Sequence, residues 1–221
     1  MTETAAEAAA EVVEAPPRPR GRREERTATS RARILDAAVA CLVEEGYAGA
    51  TTLRIQARAG VSRGRLLHHF PSRDQLLVAA SKHLATERLR NTGPGPECDL
   101  PLPERIDVAI ERLWATFSEP LFWAAVELWT AARTNEDLRA ALLPQEREVG
   151  AYVRESMARS FGPEAAAHPN FPLVRDLIFT SMRGVGLGYA LDHRDPRTDP
   201  HLAQWKQLAR MLLLDQDRAH D

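Results

Sequence analysis

Residues 51–73, "TTLRIQARAGVSRGRLLHHFPSR", decide how this chain is read. Gly60-Val61-Ser62-Arg63-Gly64 matches the G-x-S-x-G spelling of a hydrolase nucleophile, and His68 and His69 stand side by side. A nucleophile elbow needs a buried apolar strand feeding the serine. Residues 51–60 instead place polar and charged side chains at helical spacing, so a serine hydrolase at Ser62 is the unfavoured alternative and no enzyme is expected. Adjacent residues on a helix point about 100° apart, and neither histidine has a Cys, Asp, Glu or His three or four positions away. No metal and no cofactor are expected. What remains is a helix, a Gly60 turn and a second short helix. Ile55, Ala59, Val61, Leu66 and Phe70 fall inward, and Arg63, Arg65, His68 and His69 fall on the outer face. That is the organisation of a helix-turn-helix, whose second helix enters the major groove, where Arg suits bidentate contact with guanine.

The flanks agree. Ile34, Leu35, Ala38, Cys41 and Leu42 recur at helical spacing, so residues 30–45 read as an amphipathic helix stopped by Gly46. Thr51 or Thr52 can cap the next helix, and Ser72-Arg73-Asp74-Gln75 spells a capping box for a helix running to about Arg90. The Pro- and Gly-rich stretch 91–103 is a boundary loop, and helical segments follow at 103–118, 119–134, 136–160, 171–191 and 199–216, with Pro144 expected to kink the third. No segment alternates as a strand. The expected fold is all-α with about nine helices: a disordered Arg-rich arm over 1–26, a helix-turn-helix DNA-binding domain over 27–73, and a larger helical effector-binding and dimerisation domain over 74–221, with 74–90 as connecting helix.

Net charge is −2 over 221 residues, but from Arg18 to Arg73 twelve Arg face five acids, a local +7, which leaves −9 for the rest. A basic first third on an acidic protein points to a polyanion, most economically DNA. A nonspecific or architectural DNA binder driven by the arginine arm is the second alternative. No run approaches the ~18 apolar residues of a membrane span, and Glu3, Glu7, Glu11 and Glu14 break the alanine-rich start, so the cytoplasm is expected. Cys41 and Cys98 form no redox or zinc motif.

Eleven of the thirteen aromatics lie after residue 110, a composition that suits an apolar pocket in the larger domain. The candidate lining is Trp114, Phe117, Trp123, Glu127, Tyr152 and Phe179. A carboxylate inside "FWAAVELW" must be paired, solvated by a cavity or shifted in pKa; for Glu127 a structural salt bridge is favoured over a pocket position. Ser181, Gly184 and Gly188 share one helix face. Glycines there cost about 1 kcal/mol each against alanine, so a close helix approach is expected. No strand precedes them and no Lys-Ser/Thr follows, which disfavours a nucleotide loop. With Trp205 on the last helix they form the candidate homodimer interface.

From Thr27 to Leu77 the chain resembles the DNA-binding region of the TetR (tetracycline-repressor) family. The motifs are Gly46-Tyr47, Thr51-Thr52, Ala59-Gly60-Val61-Ser62, Leu66, His69-Phe70 and a basic residue soon after. The resemblance implies transcription regulation: a ligand-responsive repressor, a homodimer on a near-palindromic double-stranded DNA operator, released by a small-molecule effector. It also implies a phosphate contact at Thr52, a cap or phosphate contact at Ser62, groove-facing Arg63, Gly64, Arg65 and His68, a backbone contact at His69 and a phosphate anchor at Arg73. Leu67 stands where the family commonly has a tyrosine reaching the DNA backbone, and Gln56 where alanine is usual between the helices.

Overall fold

Ten α-helices and no strand are found among the residues that the computed structural model describes, 20–91, 99–192 and 194–214. In chain order they are α1 (Arg20–Gly49), α2 (Thr52–Ala59), α3 (Arg63–His69), α4 (Arg73–Asn91), α5 (Leu102–Ala115), α6 (Pro120–Ala132), α7 (Glu136–Phe161), α8 (Pro163–Ala166), α9 (Phe171–Gly188) and α10 (Pro200–Leu214). The unexpected tenth is α8, a single turn after Gly162, whose φ of 86° is open only to glycine at low cost. α7 runs unbroken as one helix through Pro144.

α1 begins at Arg20, so residues 20–26 of the expected arm are helical; residues 1–19 lie outside the described residues. Extending a helix already nucleated by a buried face adds one hydrogen bond per residue ordered, and Arg and Glu are good helix formers. The buried face is the expected one: Ile34, Leu35, Ala38, Cys41 and Leu42 are all essentially inaccessible. Near its end α1 breaks at Gly46 (φ 69°, ψ 177°), a backbone conformation that a side chain would strain.

The next three helices start on side-chain caps. Thr51 Oγ1 accepts from the Arg54 amide, Ser62 Oγ from that of Arg65 and Ser72 Oγ from that of Gln75, at 3.2–3.3 Å. Gly60 ends α2 in the left-handed region at φ 61°. The Arg33 guanidinium donates to Ala59 O at 2.7 Å beside it.

Two hydrophobic cores result. The first joins α1, Ile55, Leu66, Phe70 and the start of α4 to Ala124, Leu128 and Ala132 of α6 and to Leu138 and Leu142 of α7. The second gathers Ile106, Trp114, Phe117, Phe122, Phe161, Ile178, Met182 and Trp205 from α5 to α10. Helix α6 therefore belongs to both cores: Phe122 faces the second, and the row Ala124, Leu128, Ala132 faces the first.

Candidate nucleic-acid interface and internal cavity

Helix α3 is held down by one side and bare on the other. Leu66 and Phe70 are buried, while Arg63, Gly64, Arg65, Leu67 and His68 are exposed. A Cβ added at Gly64 would meet nothing within 4 Å. The Arg63 and Arg65 side chains form no ion pair or hydrogen bond among the described residues, unlike their neighbours on α2, where Arg58 grips Glu44 at 2.7 Å and Arg54 pairs with Glu45. Thr52, at the head of α2, is half-buried, and Ser62 Oγ is engaged as the α3 cap. His69 is half-buried; burial, with His68, Arg65 and Arg31 nearby, holds its imidazole below the usual histidine range. The half-buried Gln56 sits within α2, and its carbonyl accepts from the Val61 amide at 3.3 Å across the turn.

Arg73, expected as a phosphate anchor, is engaged within the chain. Its Nε donates to Ala50 O at 3.0 Å, Nη2 donates to Tyr47 O, and the guanidinium lies 4.2 Å from the Tyr47 ring centroid. The guanidinium thus ties down the loop between α1 and α2. The same tyrosine is held at its other end: Tyr47 Oη donates to Asp74 at 2.7 Å, and Asn135 Nδ2 donates to Asp74 at 3.2 Å. Burial, then the Asp74 contact, pushes the Tyr47 phenol up.

Glu127 completes this junction and is not a pocket residue. Its Oε2 accepts from the Tyr47 amide at 2.7 Å and lies 3.0 Å from where a Cβ on Gly46 would sit. The carboxylate in the apolar run is satisfied by a backbone N–H freed at the break in α1, rather than by the favoured salt bridge. Helix α6 thereby grips the head formed by α1–α3 at the point where α1 ends.

On its other side α6 walls a cavity of about 710 Å³, closed by α4, α5, α7 and α9. Phe117, Tyr152 and Phe179 line it as expected. Trp114 does not: it is buried in the second core, its indole donating to Pro196 O at 2.7 Å. Trp123 packs beside Phe122 on that core. Sequence reasoning missed Phe122, Trp129, Glu146 and Arg183 as lining residues. The Arg183 guanidinium lies between the Trp129 and Phe179 rings, 4.9 Å from each centroid, and its Nε is buried without an acceptor. Burial pushes the Glu146 carboxyl up, against the pull of the Trp129 indole and Arg183. The argument applied to Glu127, a lone charge in an apolar run, holds equally for Arg183 in "FTSMRGVGLGY".

The expected dimer face divides. Ser181, Gly184 and Gly188 are exposed, with open space above both glycines, and Leu173, Leu177, Leu187 and Leu191 of the same segment are exposed apolar residues. Trp205 is not on that face. It is 4% exposed, its ring lies 4.8 Å from that of Trp114 at a tilt of 57°, and it donates to Ser181 Oγ at 3.0 Å, which leaves it no surface for a partner.

Residues 34–80 match the family model for bacterial regulatory proteins of the tetR family. The chain is 29% identical over 133 residues to the HTH-type transcriptional repressor AcnR of Corynebacterium efficiens, covering 59% of this chain and 65% of that protein. Its counterpart in Corynebacterium diphtheriae is 40% identical over 135 residues, 59% and 64% of the two chains. The chain thus spans just under two thirds of these repressors. A crystal structure of the multidrug binding protein EbrR complexed with imidazole superposes with TM-score 0.52 at 25% identity, over 83% of this chain and 94% of that one.

Proposed function

From the match of residues 34–80 to the model of the tetR family of bacterial regulatory proteins, we propose that the chain is a homodimeric, ligand-responsive transcriptional repressor acting on a near-palindromic operator. The observation that carries this is the bare outer face of α3, where Arg63 and Arg65 extend without protein partners from a helix pinned by Leu66 and Phe70. In that reading Arg63, Gly64, Arg65 and His68 meet base edges, while Thr52, Ser62 and His69 meet the DNA backbone. Two copies docked through the exposed α9 face would set two such helices about 34–36 Å apart, one DNA turn.

A cavity of about 710 Å³ falls within the roughly 300–1,000 Å³ of small-molecule sites. Ligand response would run through α4 and α6. Ser81 and Ala85 of α4 and Phe122 and Trp129 of α6 line the cavity, while Leu76 and Leu77 of α4 and Glu127 and Leu128 of α6 hold the head. A ligand that fits one setting of these helices better than another shifts the head between them by that difference in affinity.

Selection of random double-stranded DNA by the purified protein at physiological salt tests the reading. Enrichment of a near-palindrome is expected; retention without a common sequence would favour nonspecific phosphate binding and refute it.

A further inference from the structure

An unmatched donor in the cavity wall bears on what class of molecule the cavity takes. Arg183 is the one charged residue between Asp176 and Asp192 of the sequence, and its guanidinium lines the cavity wall. Among the described residues no carboxylate lies within salt-bridge distance of it, and its buried Nε has no acceptor. Two aromatic faces flank it at 4.9 Å. They hold the group in place but offer no hydrogen-bond acceptor in its plane. A buried guanidinium donor left unmatched is costly, and arginine cannot shed its charge. Glu146, also in the lining, feels Arg183 only through space: burial pushes its carboxyl up and Arg183 pulls it down. The remaining charged lining residues, Arg112 and Glu119, balance each other in formal charge. The four charged lining residues therefore balance in formal charge, and what singles out Arg183 is its unmatched buried donor between two aromatic faces.

Resting on the reading of this cavity as the effector site, we propose that the effector is a small organic acid, whose carboxylate pairs with Arg183 and whose apolar body lies along Phe117, Phe122 and Met157. The planar guanidinium matches a carboxylate edge to edge, and the flanking rings exclude the water that would compete.

The test uses the full chain without DNA, near neutral pH, titrated with octanoate, octanamide and octylammonium, and reads tryptophan fluorescence and thermal midpoint. Octanoate is expected to bind at least about tenfold tighter than octanamide, the scale of one charge-assisted hydrogen bond, with octylammonium weakest. Arg183→Gln should erase the preference for the acid while leaving octanamide binding within about twofold, and Arg183→Lys should keep part of it. Tightest binding by octylammonium, an unchanged acid-to-amide ratio in Arg183→Gln, or no binding by any probe would each overturn the proposal. The wild-type series and Arg183→Lys decide the matter even if Arg183→Gln fails to fold. Because no DNA is present, failure here is distinct from failure of the operator selection.

Discussion

Arg73→Ala separates two roles that look alike in the sequence. The side chain donates to the carbonyls of Ala50 and Tyr47 and covers the Tyr47 ring. Hydrogen bonds from a charged donor contribute about 1.5–3 kcal/mol each, and the ring contact about 0.5–1. The group is only half-buried, so water replaces part of what is lost. The lower ends sum to about 3.5 kcal/mol, and solvent compensation brings the expected destabilisation to about 2–3. For a urea slope of about 2–3 kcal/mol/M, the midpoint falls by roughly 1 M. Arg73→Lys should recover less than half, because an ammonium cannot span both carbonyls in one plane. Urea unfolding of the protein alone is the assay, paired with operator affinity across a salt series. A phosphate anchor would behave oppositely, with stability unchanged within about 0.5 kcal/mol and the salt slope lowered by about 0.9. That pair of results would refute the structural role.

Arg63→Ala and Arg65→Ala should each weaken operator binding by about 1–3 kcal/mol and relax base preference nearby, with unfolding unchanged because neither side chain has a protein partner; a stability loss as large as the affinity loss would show them to be structural. For His69 the folded protein favours the neutral ring, so the unfolded chain protonates first as pH falls. The stability this contributes is full above the ordinary histidine pKa of about 6.5 and is lost as pH drops through it towards the lower folded value. His69→Gln should flatten that acid-side slope in urea midpoints, and an unchanged slope would assign it to other groups. Leu177→Glu, placed on the exposed α9 face, should shift the protein to monomer in sedimentation and reduce operator affinity, and a dimer that survives would move the interface elsewhere.

The head was legible because its determinants are local. Caps at Thr51, Ser62 and Ser72, the left-handed Gly60 and a helical period in α1 are readable one segment at a time. The bonds of Arg73 to Ala50 and Tyr47 were not legible, because a sequence shows a donor but not which acceptor the fold brings to it. The cavity was half legible for a related reason. Aromatic residues on α5 and α6 are equally suited to core or wall, and only the rotation of each helix in the bundle sends Phe117 to the cavity and Trp114 to the Pro196 carbonyl. Glu127 was recognised as needing a partner, yet that partner is an amide eighty residues away, exposed by a break at Gly46 that local spacing marks only as a stop.

The two faces of α6 carry a consequence for anyone retuning such a sensor. Trp129 and Phe122 share a helix with Glu127 and Leu128, so altering them to admit a new molecule also disturbs the grip on Tyr47 and, in the proposed reading, resets how tightly the unliganded protein holds DNA. No described residue of α9 belongs to the head's core. In the proposed reading, substitutions at Phe179 change what is detected with less effect on that grip than substitutions on α6, whereas Arg183 packs against Trp129 and couples back to it.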